Sequence, residues 1–354
     1  MRSISRVLLT NEMRSISRVL LINAYYVCKA DIPLTKGVAR MKKHIRNFVV
    51  LTTLTTASIY AINKFISISS TLKNLLKTDH GHFYDWKYGN IFYSKSGKGS
   101  PVLLVHDLDP ASSSVEWEKI YKSLSKKHTV YTIDLIGCGR SSKPNLTYTN
   151  YLYVQLLTDF INNIIREKAT VISTGASGSF TVMACNMNPE CFDKIILINP
   201  ENLNDLMETP DKRKNALKCL IDLPIIGTFL YNLLYCAIGI EKIFSNKYYY
   251  KSHLASSKTM DSYYESAHLD NSKGKYLLSS IVASYTNINI VHALEKIKNN
   301  IYIVCSKENE ASRYIMESYS QHNPSIEAGY VKNSRYLPQM EAPEKLLKQI
   351  EGIL

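Results

Sequence analysis

Thr170-Val171-Ile172-Ser173-Thr174, followed by Gly175-Ala176-Ser177-Gly178-Ser179-Phe180, is the stretch whose reading decides the fold. The first five residues are mostly β-branched and suit a buried strand. The five small residues after them permit a sharp turn, and residues 180–186 read as helix. Residues 194–198, Lys-Ile-Ile-Leu-Ile, are a second apolar run of strand length. Strand, turn, helix and strand in this order form the unit that joins parallel strands.

Working outward, the alternation repeats. Residues 101–105 and 129–133 read as strands, and 115–126 and 151–166 as helices. Residues 83–94 form two short alternating strands joined at Lys87-Tyr88-Gly89, a hairpin. Between roughly 201 and 295 the alternation stops. Helical periods at 214–223, 228–238 and 274–284 and the run Tyr248-Tyr249-Tyr250 replace it. Strand-like segments at 301–304 and 327–331 resume the sheet, and a helix from Glu344 closes the chain. The expectation is an α/β fold: a mostly parallel sheet flanked by helices, with a helical cap (about 201–295) inserted before the last two strands.

The chain has 354 residues, of which 45% are hydrophobic and 21% charged, with a net charge of +13. That suits one large domain behind an N-terminal appendage. Ten basic residues crowd the first 46 positions, from Arg2 to Arg46. No basic stripe interleaved with aromatics and no zinc-finger or helix-turn-helix spacing accompanies them, so the charge points to an anionic membrane surface rather than to nucleic acid. Seven cysteines, odd in number and without a C-x-x-C pair, suggest neither a disulfide framework nor a metal site.

Met1 to Leu9 recurs unchanged as Met13 to Leu21. Two copies do not make a solenoid; the extension 1–40 is read as a short duplication, with Met41 an alternative start. After Lys42, Lys43, His44 and Arg46 an uncharged run of 17 residues extends from Asn47 to Asn63. It resembles a signal anchor with no small-x-small cleavage site, so residues 47–66 are expected to tether the protein to a membrane. The expected organisation is 1–40 extension, 41–77 anchor helix and linker, and 78–354 folded domain. The basic flank favours an amino end inside; Lys64, Lys73, Lys77 and the unpaired cysteines argue the other way.

Several motifs fall in order along the folded part. Val105-His106-Asp107-Leu108 follows the first core strand, Asp134-Leu135-Ile136-Gly137-Cys138-Gly139-Arg140-Ser141 follows the next, and Gly175-Ala176-Ser177-Gly178-Ser179 sits between strand and helix. Near the end comes Tyr336-Leu337-Pro338-Gln339-Met340-Glu341-Ala342-Pro343. From about residue 83 onward this set resembles the α/β-hydrolase superfamily, of the serine-elbow, capped type. The resemblance implies an ester or other acyl bond as target, Ser177 as nucleophile on the elbow, and an oxyanion hole from the backbone N–H groups of Leu108 and Gly178. It implies Glu308 as the triad acid, with Glu310 in reserve.

The base departs from the family pattern. The histidine position is Tyr336, and a phenol of pKa about 10 does not take a proton from serine near neutrality as an imidazole does. Asp107 stands where the family writes glycine, beside a hole meant for a developing negative charge. His253, His268, His292 and His322 are the candidates to replace the base, His268 foremost because caps close over the site. No P-loop, H-E-x-x-H or dinucleotide motif implies a cofactor or metal. Two readings stay open: a membrane-associated serine hydrolase acting on a small apolar or acyl substrate, and an impaired pseudoenzyme that binds an apolar ligand or a protein.

Overall fold

The computed structural model describes residues 36–78 and 81–354, with side chains from residue 43 onward. The duplicated nonapeptide lies outside the described residues. By contacts the chain divides into two compact units, Met1–Ile62 and Asn63–Leu354.

In the first unit the described residues belong to one helix, Lys36–Ser70, whose last two turns pass into the second unit. Its segment Lys43–Ser70 has 28 residues and a mean hydropathy of 1.3 in its most apolar window. By length and composition it can cross a membrane. Residues 63–77, where the expected anchor helix ends and its linker follows, belong to the second unit. The reason is local bonding: Asn63 Nδ2 donates to the Ile225 carbonyl at 3.1 Å, and the Leu75 N–H donates to Glu265 Oε2 at 2.8 Å.

The second unit is built on eight strands: β1 Gly81–Trp86, β2 Gly89–Ser96, β3 Pro101–Val105, β4 Thr129–Ile133, β5 Ala169–Thr174, β6 Phe192–Ile198, β7 Asn300–Ser306 and β8 Glu327–Val331. They lie in the order β1-β2-β4-β3-β5-β6-β7-β8. The hairpin β1–β2 and the pair β2–β4 are antiparallel; the other pairs are parallel, with Val105 beside Ser173 and Thr174 beside Ile198. Successive side chains alternate between faces. Leu103 and Val105 pack with Phe160, Phe180 and Val182 on one side, and Val102 and Leu104 with Trp117, Ile120 and Leu346 on the other. Every residue of β5 is buried, as expected for a strand covered on both faces.

Residues 199–299, between β6 and β7, contain helices and turns. The expected helix at 228–238 is two, Ile226–Leu234 and Ala237–Ile243, because Cys236 leaves helical geometry and its Sγ accepts the Gly239 N–H to cap the second.

Candidate functional site

At the end of β5 the chain turns sharply into the helix Ser177–Met187. The residue that bends it is Gly175, at φ +59°, a left-handed conformation that glycine adopts without penalty. A nucleophile elbow exposes the side chain at its strained apex and uses the N–H of the following residue for the oxyanion hole. Here the apex carries no side chain. Ser177 lies two residues further, inside the first turn of the helix, fully buried, and its hydroxyl donates to the His106 carbonyl. The Gly178 N–H, expected in the hole, donates to the Gly175 carbonyl at 3.0 Å.

The two N–H groups that do converge are those of Leu108 and Ala176, and Asp107 occupies them. Its Oδ1 accepts from the Leu108 N–H at 2.9 Å and from the Ala176 N–H at 3.0 Å. Tyr336 completes the contact by hydrogen bonding through its hydroxyl to the same carboxylate. Burial first, and then the Asp107 charge, push the phenol far above its ordinary range, so Tyr336 stays protonated and donates.

Tyr336 is held from several directions. Its N–H donates to the Tyr248 carbonyl at 3.0 Å, and the two rings stack with centroids 5.8 Å apart. Asn199, at the end of β6, donates to the Tyr336 carbonyl at 2.8 Å. Lys247 Nζ sits 4.5 Å from the ring centroid. Glu308, the expected triad acid, has backbone partners. Its carboxylate accepts the N–H groups of Asn333 at 2.8 Å and Ser334 at 3.3 Å, bracing the loop that leads to Tyr336. Glu310 is exposed.

The histidine candidates have other partners. His268 uses Nδ1 on the Tyr264 carbonyl at 2.7 Å, and burial lowers its pKa. His292 and His322 face Glu295, and His253 is exposed. His106 accepts the Leu135 N–H at Nε2 and bonds the Asp107 carbonyl through Nδ1, which fixes a neutral ring as a loop brace. The motif from Asp134 to Ser141 is likewise a brace. Asp134 accepts from the Arg140 guanidinium at 2.7 Å, and despite burial that cation keeps its carboxyl far below the usual range.

Sequence reading missed the lining of the site. Tyr235, Tyr248 and Tyr263 from the helical insertion are buried over it, with Phe244, Leu337 and Met340. Tyr235 donates to Asp109 Oδ2 at 3.1 Å and Tyr263 to Glu116 Oε1 at 3.0 Å. Glu116 also accepts the Asp107 N–H at 3.2 Å. Burial and the neighbouring Asp107 charge push Glu116 up to about 8 and Glu201 up to about 7. The run Tyr248-Tyr249-Tyr250 was the available signal, but periodicity does not say which side of the insertion the tyrosines face. Among the described residues no group of three His, Cys, Asp or Glu side chains is placed to hold a metal ion.

The comparisons agree with this architecture. A family model described as alpha/beta hydrolase fold matches residues 100–219. An uncharacterised protein of Mycobacterium tuberculosis is 26% identical over 104 residues, a match that covers 29% of this chain and only 30% of that protein. The proline iminopeptidase of Heyndrickxia coagulans is 23% identical over 285 residues, covering 77% of this chain and 97% of the enzyme. A serine hydrolase involved in carbazole degradation superposes with a TM-score of 0.61 at 16% identity, covering 77% of this chain and 97% of its own. With the strand order, the elbow and the loop motifs in their places, this chain has the α/β-hydrolase fold.

Proposed function

We propose that this protein is a catalytically silent member of the superfamily, held at a membrane by the helix Lys43–Ser70, and that it works by binding an apolar ligand or a protein partner. The observation that carries this reading is the double acceptance by Asp107 Oδ1 of the Leu108 and Ala176 N–H groups. An oxyanion hole stabilises charge that develops during reaction. A permanent carboxylate in the same place is attracted to the same donors and repels an incoming oxyanion. Three further features point the same way: glycine at the elbow apex, a protonated phenol in the histidine position, and Ser177 committed to a backbone carbonyl. Tyr248 stacks on Tyr336, and Tyr235 and Tyr263 are buried in the same cluster.

The hydrolase reading requires Ser177 to leave the helix turn and Asp107 to leave the hole together. Labelling of the full-length protein by a fluorophosphonate probe separates the two. A silent site gives no serine adduct in wild type and none in Ser177→Ala. An adduct in wild type that disappears in Ser177→Ala would overturn the proposal and restore Ser177 as nucleophile.

A further inference from the structure

The helical insertion presents an apolar face that is left exposed among the described residues. In the helix Ile226–Leu234, Ile226, Leu230, Leu233 and Leu234 fall at i, i+4, i+7 and i+8, one side of the helix, while Tyr231 and Asn232 on the other side are buried. Ile226, Leu233 and Leu234 are 50%, 54% and 58% exposed, and Ile238 in the next helix 64%. Leu217 and Leu220 on the preceding helix, Lys212–Asp222, and Leu223 just after it extend the exposed leucines. This much exposed aliphatic side chain on three successive helices marks an interaction site.

Two observations identify the occupant. The first is charge: from Lys212 to Lys258 the sequence carries eight lysines and arginines against Asp222 and Glu241, a net of 8 − 2 = +6. Lys212, Arg213, Lys242 and Lys251 are exposed and have no ion pair among the described residues. A face of leucine and isoleucine rimmed by unpaired cations matches an anionic lipid surface, where acyl chains meet phosphate headgroups. The second is continuity. Asn63 Nδ2 donates to the Ile225 carbonyl at 3.1 Å, and Asn232 Nδ2 donates to Asn63 Oδ1 at 3.0 Å. The last turns of the apolar helix are thereby fixed to the segment where this face begins, and Phe65 and Ile68 on those turns are themselves exposed.

We infer that the face formed by Ile226, Leu233, Leu234 and Ile238 lies in the headgroup region of an anionic bilayer, a second membrane contact beyond the anchor helix. The inference rests on the membrane reading of that helix, and its test reports on the two separately.

The full-length protein is reconstituted into phosphatidylcholine–phosphatidylglycerol vesicles, with and without lipids brominated high on the acyl chains. Its own tryptophans, Trp86 and Trp117, are buried and give a constant background. Ile226→Trp and Leu234→Trp report on the face, Leu54→Trp on the helix, and Tyr330→Trp on an exposed strand at the far edge of the sheet. At a depth of about 5–10 Å the two face tryptophans should each lose about half their emission to brominated lipid. Tyr330→Trp should keep its emission, and Arg213→Glu with Lys242→Glu should reduce the loss at Leu234→Trp. Quenching of Leu54→Trp alone would overturn the face and leave the anchor standing. Absence of quenching at every position, with no co-flotation, would overturn both. A change at Leu234→Trp that follows protein concentration without lipid would assign the face to a second copy of the chain and also overturn the proposal.

Discussion

Asp107 and Tyr336 meet directly above Gly175. A Cβ built on Gly175 would stand 2.4 Å from Asp107 Oδ1 and 2.2 Å from Tyr336 Oη. The hydrogen-bonded pair thus occupies the volume in which a nucleophilic side chain and its base would face each other.

A side chain at position 175 should therefore be expelled by this pair. Gly175→Ser combines two contacts shorter than real Cβ atoms make with a φ of +59°. It should cost about 2–4 kcal/mol of stability, seen as a lowered midpoint in chemical denaturation. Adding Asp107→Gly removes one of the two obstacles. A double-mutant cycle should give a coupling of about 1 kcal/mol or more, and strict additivity would contradict the arrangement.

Tyr336→Phe keeps the ring stacked on Tyr248 and deletes only the hydroxyl. Asp107 then loses one donor in a buried place, with an expected destabilisation of about 1–3 kcal/mol. Thermal unfolding measures it. The Asp107→Asn, Tyr336→Phe double variant should recover part of that loss, because no buried charge is left short of a partner.

Glu116 gives the site a pH signature. Its carboxyl titrates at about 8 when folded, against an ordinary 4.5, because of burial and the Asp107 charge. Between these values the folded state binds more protons than the unfolded chain, so this group's contribution is complete below about pH 4.5 and is lost as pH rises toward 8. The change is roughly 2–5 kcal/mol. Denaturant midpoints across that range should fall less steeply in Glu116→Gln than in wild type. The slope that remains comes partly from Glu201, which titrates at about 7 when folded. Identical slopes in the two proteins would contradict the placement of Glu116.

The sheet was legible because its signals are local. Residues 101–105, 129–133 and 327–331 were read with their observed bounds, since a buried strand is a short apolar run between turn residues. The helical insertion was legible as a change of period. The site was less so, and Ser177 shows why. A G-x-S-x-S string can be laid on an elbow in two registers, one with Ser177 and one with Gly175 at the apex. A two-residue shift preserves the small residues around the turn, so composition does not choose between them; the sign of φ at Gly175 does. The departures at Tyr336 and Asp107 were visible as residues out of place. That the two bond to each other is a contact between positions 229 residues apart (336 − 107), which no local pattern encodes. Glu308 looked catalytic because it follows β7, but the same position lets it cap the backbone of the next loop.

The most direct measurement is amide hydrogen exchange at Leu108 and Ala176, resolved by NMR in wild type and in Asp107→Ala. If the carboxylate fills the hole, both amides are strongly protected in wild type and lose that protection together in the variant, while the Gly178 amide, bonded to the Gly175 carbonyl, is unchanged. Fast exchange of Leu108 and Ala176 in the wild-type protein would mean an open oxyanion hole, and would contradict the central claim.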